Sequence, residues 1–158
     1  MKNTDCKELC FCSACEQDTE KLGAALCAVL SAGAFVALWG GLGAGKTAFT
    51  RGFVHALGCD DAASPTFTIV HEYDTEPPVF HFDVYRLSDE EELYDIGYEE
   101  YLSRGGILLM EWPERTPGAL PEDRVDVRIG RLSDHERRVE IGGLTKEQAL
   151  RLQEEWKR

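Results

Sequence analysis

The chain has 158 residues, 43% of them hydrophobic, and a formal net charge of −12 at pH 7. That length supports one domain with a buried core, and the acidic balance excludes a free-standing nucleic-acid-binding surface, which needs clustered Lys and Arg. No stretch approaches the length of a transmembrane helix and the polar, charged start does not read as a signal peptide, so a cytoplasmic protein with no membrane association is expected.

Four of the six cysteines, Cys6, Cys10, Cys12 and Cys15, crowd the first fifteen positions. Their spacing lacks the second C-x₂-C pair or the His partners of a zinc site, and a reducing compartment disfavours disulfides. Residues 1–15 are therefore read as a short edge strand, Leu9 to Ser13, and a turn. A helix is predicted from about Asp18 to Ser31, with Leu22, Leu26, Val29 and Leu30 on one face and Cys27 in the apolar stripe.

Ala34 to Trp39 is a continuous apolar run of the kind a buried parallel strand shows. It leads into Gly40-Gly41-Leu42-Gly43-Ala44-Gly45-Lys46-Thr47, which fits G-x-x-x-x-G-K-[ST]. Phe49, Phe53 and Leu57 then recur at helical spacing, with Thr50, Arg51 and His55 on the polar side and Gly58 as the stop. A strand before and a helix after are the context that makes the motif a phosphate-binding P-loop. Gly40, Gly41, Gly43 and Gly45 lack the Cβ that would keep N–H donors from a phosphate, and they reach positive φ cheaply. The helix adds the positive end of its dipole. The expected nucleotide contacts are Gly41, Leu42, Gly43, Ala44, Gly45, Lys46, Thr47 and Ala48. Lys46 supplies charge to the β/γ oxygens and the Thr47 hydroxyl is placed for Mg²⁺. ATP and Mg²⁺ are the cofactors this implies.

Ser64-Pro65-Thr66-Phe67-Thr68 follows, rich in hydroxyls. Ser64, Thr66 and Thr68 are candidates for a switch-like segment that reaches a γ-phosphate or its metal. A strand from Ile69 to Tyr73 and a turn at Asp74 to Pro78 predict antiparallel pairing with Val79 to Tyr85. In that second strand Phe80, Phe82 and Val84 alternate with His81, Asp83 and Tyr85. One face is expected on the core, the other as a row of acid/base and hydroxyl groups. Ser88-Asp89-Glu90-Glu91 reads as a capping box for a short helix through Tyr94, stopped by Gly97, and a second short helix spans about Tyr98 to Leu102. Gly106 to Trp112 is a buried strand that carries Glu111 at its end. Strands at Val125 to Ile129 and Arg137 to Ile141 complete the sheet. A last helix begins at Thr145 with Gln148 as box partner and packs through Leu144, Leu152 and Trp156. The predicted fold is a single-domain, three-layer α/β arrangement of the P-loop NTPase type, with parallel core strands and added antiparallel ones.

Two carboxylates complete the candidate site. In P-loop folds a strand beside the loop ends in an acid that serves Mg²⁺, and Glu111 takes that place. Asp83 can position the attacking water, because phosphoryl transfer needs orientation and charge neutralisation more than a strong base. Lys46 and Asp83 are thus the catalytic candidates, Thr47 and Glu111 the metal ligands. His81 enters only as a neighbour of Asp83.

The strings LWGGLGAGKTAFTRGF, SPTFTIVHEY, HFDVYRLSDEEEL and LLMEWPER resemble, in order, the bacterial TsaE family of tRNA threonylcarbamoyladenosine biosynthesis proteins, formerly YjeE. The resemblance runs from about Glu16 to Val127. It implies an ATPase working with the TsaB and TsaD proteins to place a threonylcarbamoyl group on the adenosine beside certain tRNA anticodons, touching tRNA through that complex. It also implies that Thr47 and Glu111 hold Mg²⁺, that Asp83 serves hydrolysis, and that SPTFT is switch-like. There are three rival readings, a small-molecule kinase, a GTPase switch and an ATP-binding scaffold. A small-molecule kinase needs an arginine-bearing lid, and between the loop and Glu111 only Arg51, Arg86 and Arg104 are available. A guanine-reading Asn-Lys-x-Asp motif is excluded, because Asn3 is the only asparagine. An ATP-binding scaffold without turnover is the third.

Overall fold

The computed structural model describes residues 8–60 and 69–158. In chain order the elements are β1 (Leu9–Ser13), α1 (Glu16–Val29), β2 (Phe35–Trp39), α2 (Lys46–His55), β3 (Val70–Tyr73), β4 (Val79–Asp83), α3 (Glu90–Asp95), α4 (Tyr98–Ser103), β5 (Ile107–Glu111), β6 (Val125–Arg131), β7 (Arg137–Gly142) and α5 (Lys146–Lys157). Two short 3₁₀ turns, Pro113–Arg115 and Pro117–Ala119, follow β5.

The strands form one seven-stranded sheet in the order β1-β7-β6-β2-β5-β4-β3. Its centre is parallel: β2 pairs with β5 on one side and β6 on the other, and β5 pairs with β4. Antiparallel strands flank that centre, β3 beyond β4 and the β7–β1 pair beyond β6. Each face is covered. On one, Val36, Leu38, Leu109 and Val127 pack with Leu22, Leu26, Phe49, Phe53 and Leu152 of α1, α2 and α5. On the other, Phe35, Ala37, Phe80, Phe82 and Met110 pack with Leu93 and Tyr98 of α3 and α4. This is the three-layer α/β arrangement the element pattern predicts.

Helices α1 and α2 touch backbone to backbone. A Cβ on Gly52 would fall onto the Glu20 carbonyl, and one on Gly23 onto that of Phe49. One departure from the sequence reading falls on α2: Thr50, assigned to the polar side, is 2% exposed, although it lies away from the Gly52 contact with α1. A second departure is in β4. The alternation is as expected, but the His81 side is no open row of polar groups. Val79, Phe80, His81 and Phe82 are all buried, because a strand beside a parallel neighbour is covered on both faces. The third is the cap of α3. Its N-cap is Asp89, which accepts from the Glu92 N–H, while Glu92 accepts from the Ser88 N–H, so the motif sits one residue later than predicted. Thr145 and Gln148 do form the expected capping box on α5.

Candidate nucleotide site

Residues 40–45 link the end of β2 to the start of α2. Gly43 (φ 73°) and Gly45 (φ 115°) occupy the left-handed region that favours glycine. Gly41 is not among the glycines with positive φ. Gly40 serves close packing instead: a Cβ there would lie 2.9 Å from the Ile129 carbonyl of β6. Gly45 is the N-cap of α2 and brings no side-chain cap, which leaves the first N–H groups of the helix to any anion placed there.

Lys46 is buried, at 6% exposure. Its Nζ donates to the Gly40 carbonyl at 2.7 Å and lies 3.6 Å from the centre of the Trp112 ring. Burial pushes its pKa down, opposed by the charges of Glu111, Asp83 and Glu114. The two carboxylates come together through strand register. Asp83 closes β4 directly opposite Glu111 at the close of β5, and Glu111 is also opposite Leu38 of the loop-bearing β2. Both acids therefore stand at the carboxyl edge of the parallel strands, where open α/β sheets place their ligands. Asp83 accepts from the Tyr85 N–H at 3.0 Å. Its carboxyl is held above the ordinary range, first by desolvation and also by the nearby Glu111 charge. Glu111 is 4% exposed, with Oε2 at 2.7 Å from His81 Nε2.

Loop, helix start and strand ends wall a cavity of about 910 Å³. Leu42 through Ala48, Asp83 and Glu111 all line it, which brings together most of the expected residues; Gly41 does not line it. Ser64, Thr66 and Thr68 lie outside the described residues. Ile69, the first described residue after them, is on the cavity wall, and its carbonyl accepts from the Asp83 N–H at 2.8 Å. The donor set suits a hard divalent cation: a hydroxyl from Thr47 and carboxylates from Glu111 and Asp83, all oxygen.

Three contributors escaped the sequence reading. His81, ranked only as a neighbour of Asp83, bonds to Glu111 instead. Trp112 has φ 62° and ψ 46°, an unusual conformation for a bulky residue; its ring meets Lys46 on one contact and Tyr85, 4.8 Å between centroids, on another. Arg137, from the start of β7, donates to the Ala44 carbonyl at 2.8 Å and the Gly43 carbonyl at 3.3 Å, clasping the phosphate loop. Only the tertiary fold reveals that last contact, since 93 positions separate Arg137 from Ala44. Arg86, one of the arginines weighed for a lid, lines the cavity, while Asp83 is answered by the Tyr85 amide.

A family model described as threonylcarbamoyl adenosine biosynthesis protein TsaE matches residues 13–139. The tRNA threonylcarbamoyladenosine biosynthesis protein TsaE of Bacillus subtilis is 41% identical over 125 residues, covering 78% of each chain. The protein of the same name from Treponema pallidum is 37% identical, over 79% of this chain and 93% of its own length. That from Haemophilus influenzae is 44% identical over 63% of this chain and 64% of its own. The crystal structure of Bacillus subtilis YdiB superposes with a TM-score of 0.76 at 31% identity, covering 96% of this chain and 95% of that one. A P-loop fold with two strand-end acids, matched along most of its length, thus has its place: the chain belongs to the TsaE family of tRNA threonylcarbamoyladenosine biosynthesis proteins.

Proposed function

We propose that this chain is a Mg²⁺-dependent ATP hydrolase acting in the cytoplasm with TsaB and TsaD to drive threonylcarbamoylation of tRNA adenosine. The observation that carries the reading is the convergence of Lys46, Asp83 and Glu111 on one cavity at the mouth of the phosphate loop. The N–H groups of residues 43–48 and the Lys46 ammonium bind the β- and γ-phosphates, giving up the Gly40 carbonyl and the Trp112 face for stronger charged partners. Thr47 and Glu111 hold Mg²⁺, which when bound neutralises charge on the phosphate oxygens. Asp83 accepts a hydrogen bond from the attacking water and aligns it with the γ-phosphorus. Arg137 keeps the loop carbonyls turned away from the anion.

The net charge of −12 fits a component that meets tRNA through its partners rather than by itself. A small-molecule kinase is less well served. Of the three arginines open to a lid, Arg104 is engaged by Glu72 at 2.9 Å on the surface beside β3. Release of phosphate from ATP should be measured with the chain alone and then with TsaB and TsaD added. The expected result is Mg²⁺-dependent hydrolysis that rises when the partners are present. No hydrolysis in either condition, or phosphoryl transfer to a small acceptor, would overturn the assignment.

A further inference from the structure

His81 is enclosed on both faces of β4, at 1% exposure. Its Nε2 meets Glu111 Oε2 at 2.7 Å, whereas Nδ1 has no hydrogen-bond partner among the described residues. In the β4–β5 register His81 is opposite Leu109 and Asp83 opposite Glu111, so the imidazole reaches diagonally along one sheet face to the carboxylate. The neutral ring with its hydrogen on Nε2 donates to Glu111 and leaves only a lone pair unmatched. The other neutral form would set two acceptors against each other and bury an N–H without an acceptor, which costs more.

Stability alone does not call for this pair, because replacing a buried polar couple by apolar groups of similar shape is often neutral or favourable. Orientation does call for it. We propose that His81 is a positioning residue for the metal centre: its Nε2–H fixes Oε2 of Glu111 so that Oε1 is presented to a divalent cation beside Thr47. Carboxylates that ligate metals are commonly held this way, and removing the outer partner typically lowers metal affinity about 10–100-fold. The inference rests on Glu111 being a cation ligand.

Calorimetry with a non-hydrolysable ATP analogue, once in EDTA and once in Mg²⁺, tests both points. The variants are His81→Phe (a ring with no donor), His81→Gln (a donor as many bonds from Cα as Nε2) and His81→Asn (a donor one bond short). Glu111→Gln is run beside them. Thermal melts check folding. In EDTA the three His81 variants should bind the analogue like the wild type, while Glu111→Gln is judged only by its own change on adding Mg²⁺, because losing that charge beside the phosphates alters metal-free binding too. The affinity gained on adding Mg²⁺ should fall about 10–100-fold in the Phe and Asn variants and be largely kept by Gln. If His81→Phe is unfolded, the contrast between Gln and Asn decides. A full Mg²⁺ gain in Phe or Asn, or equal losses in Gln and Asn, overturns the role of His81 while Glu111→Gln still loses the gain. If Glu111→Gln keeps it, the metal reading of Glu111 fails and takes this inference with it.

Discussion

Lys46 is anchored before any phosphate arrives, by the Gly40 carbonyl and the Trp112 ring. Those contacts are weaker than a phosphate clamp, since a carbonyl oxygen and a ring face carry only partial charge whereas a phosphate oxygen carries close to a full one. Lys46→Ala and Thr47→Ala should therefore abolish productive Mg·ATP binding, one by removing charge and the other a metal ligand. Calorimetry on each variant checks this, and unchanged Mg²⁺-dependent affinity in both would refute the loop's role. Asp83 carries the opposite sign. Its ionised form is disfavoured by desolvation and by Glu111, so the folded chain binds the Asp83 proton more tightly than the unfolded chain does. Raising pH through the ordinary carboxylate range and up to the raised value costs stability at this site. Asp83→Asn should then gain about 0.5–1 kcal/mol in the metal-free protein at neutral pH. The gain should vanish as pH falls below the ordinary carboxylate range, where the wild-type Asp83 is protonated folded or unfolded. The same variant should bind ATP and hydrolyse it slowly. Thermal melts across pH read the first effect and phosphate release the second; wild-type turnover would remove the catalytic label from Asp83. Asp83 and Glu111 are legible in sequence because each ends an apolar strand. The partner of His81 is not, because a period of two assigns a side of the strand but says nothing of its depth.

At the scale of elements, α2 carries the phosphate loop and α1 holds α2 in place. The contact leaves no room for a methyl group at Gly23 or Gly52, so Gly52→Ala must push the helices apart. Overpacking of this kind costs about 1–3 kcal/mol, a fall of roughly 2–12 °C in melting temperature for a chain of this size. A melt within a degree of the wild type would show that the helices part freely. Thr50 misled for a different reason: Phe49, Phe53 and Leu57 mark one stripe, but Thr50 and Val54, one turn apart on another side of α2, are buried as well. The edge strand β1 behaves differently. Cys10 and Cys12 are exposed while Phe11 between them is buried, a plain alternation needing no metal. Cys27 sits in the core, where burial pushes its thiol up to about 11. Purified protein should hold well under one equivalent of zinc or iron. Replacing Cys10, Cys12 and Cys15 together by Ser should leave the melting temperature nearly unchanged; stoichiometric metal would overturn that assignment.

At the scale of the whole molecule, β2 and β5 are legible as unbroken apolar runs, and β4, though central, as an alternating segment. Strand order is not, because no local pattern states that β6 joins β2 or that β1 caps β7. That order matters for coupling. It sets β5 beside β2 and β4 beside β5, so that the stretch before β3 enters at the cavity wall through Ile69, whose carbonyl holds the amide of Asp83. Residues 61–68, with Ser64, Thr66 and Thr68, lead into that point from outside the described region. A nucleotide can bias association with a partner only through contacts that differ between its states. We propose that the hydroxyls ahead of Ile69 make contacts that depend on a γ-phosphate, with Pro65 restricting the conformations available once it leaves. The chain should accordingly bind a TsaB–TsaD complex with different affinity in ATP and in ADP, typically by about 5–150-fold for a coupled site. Thr66→Ala or Thr68→Ala should shrink the difference while leaving affinity in ADP as it was, since the lost contact exists only with the third phosphate. Calorimetry with each nucleotide on the wild type and the two variants measures these affinities. Equal affinity in the two states, indifferent to either substitution, would leave the segment as a turn into β3 and place any coupling elsewhere.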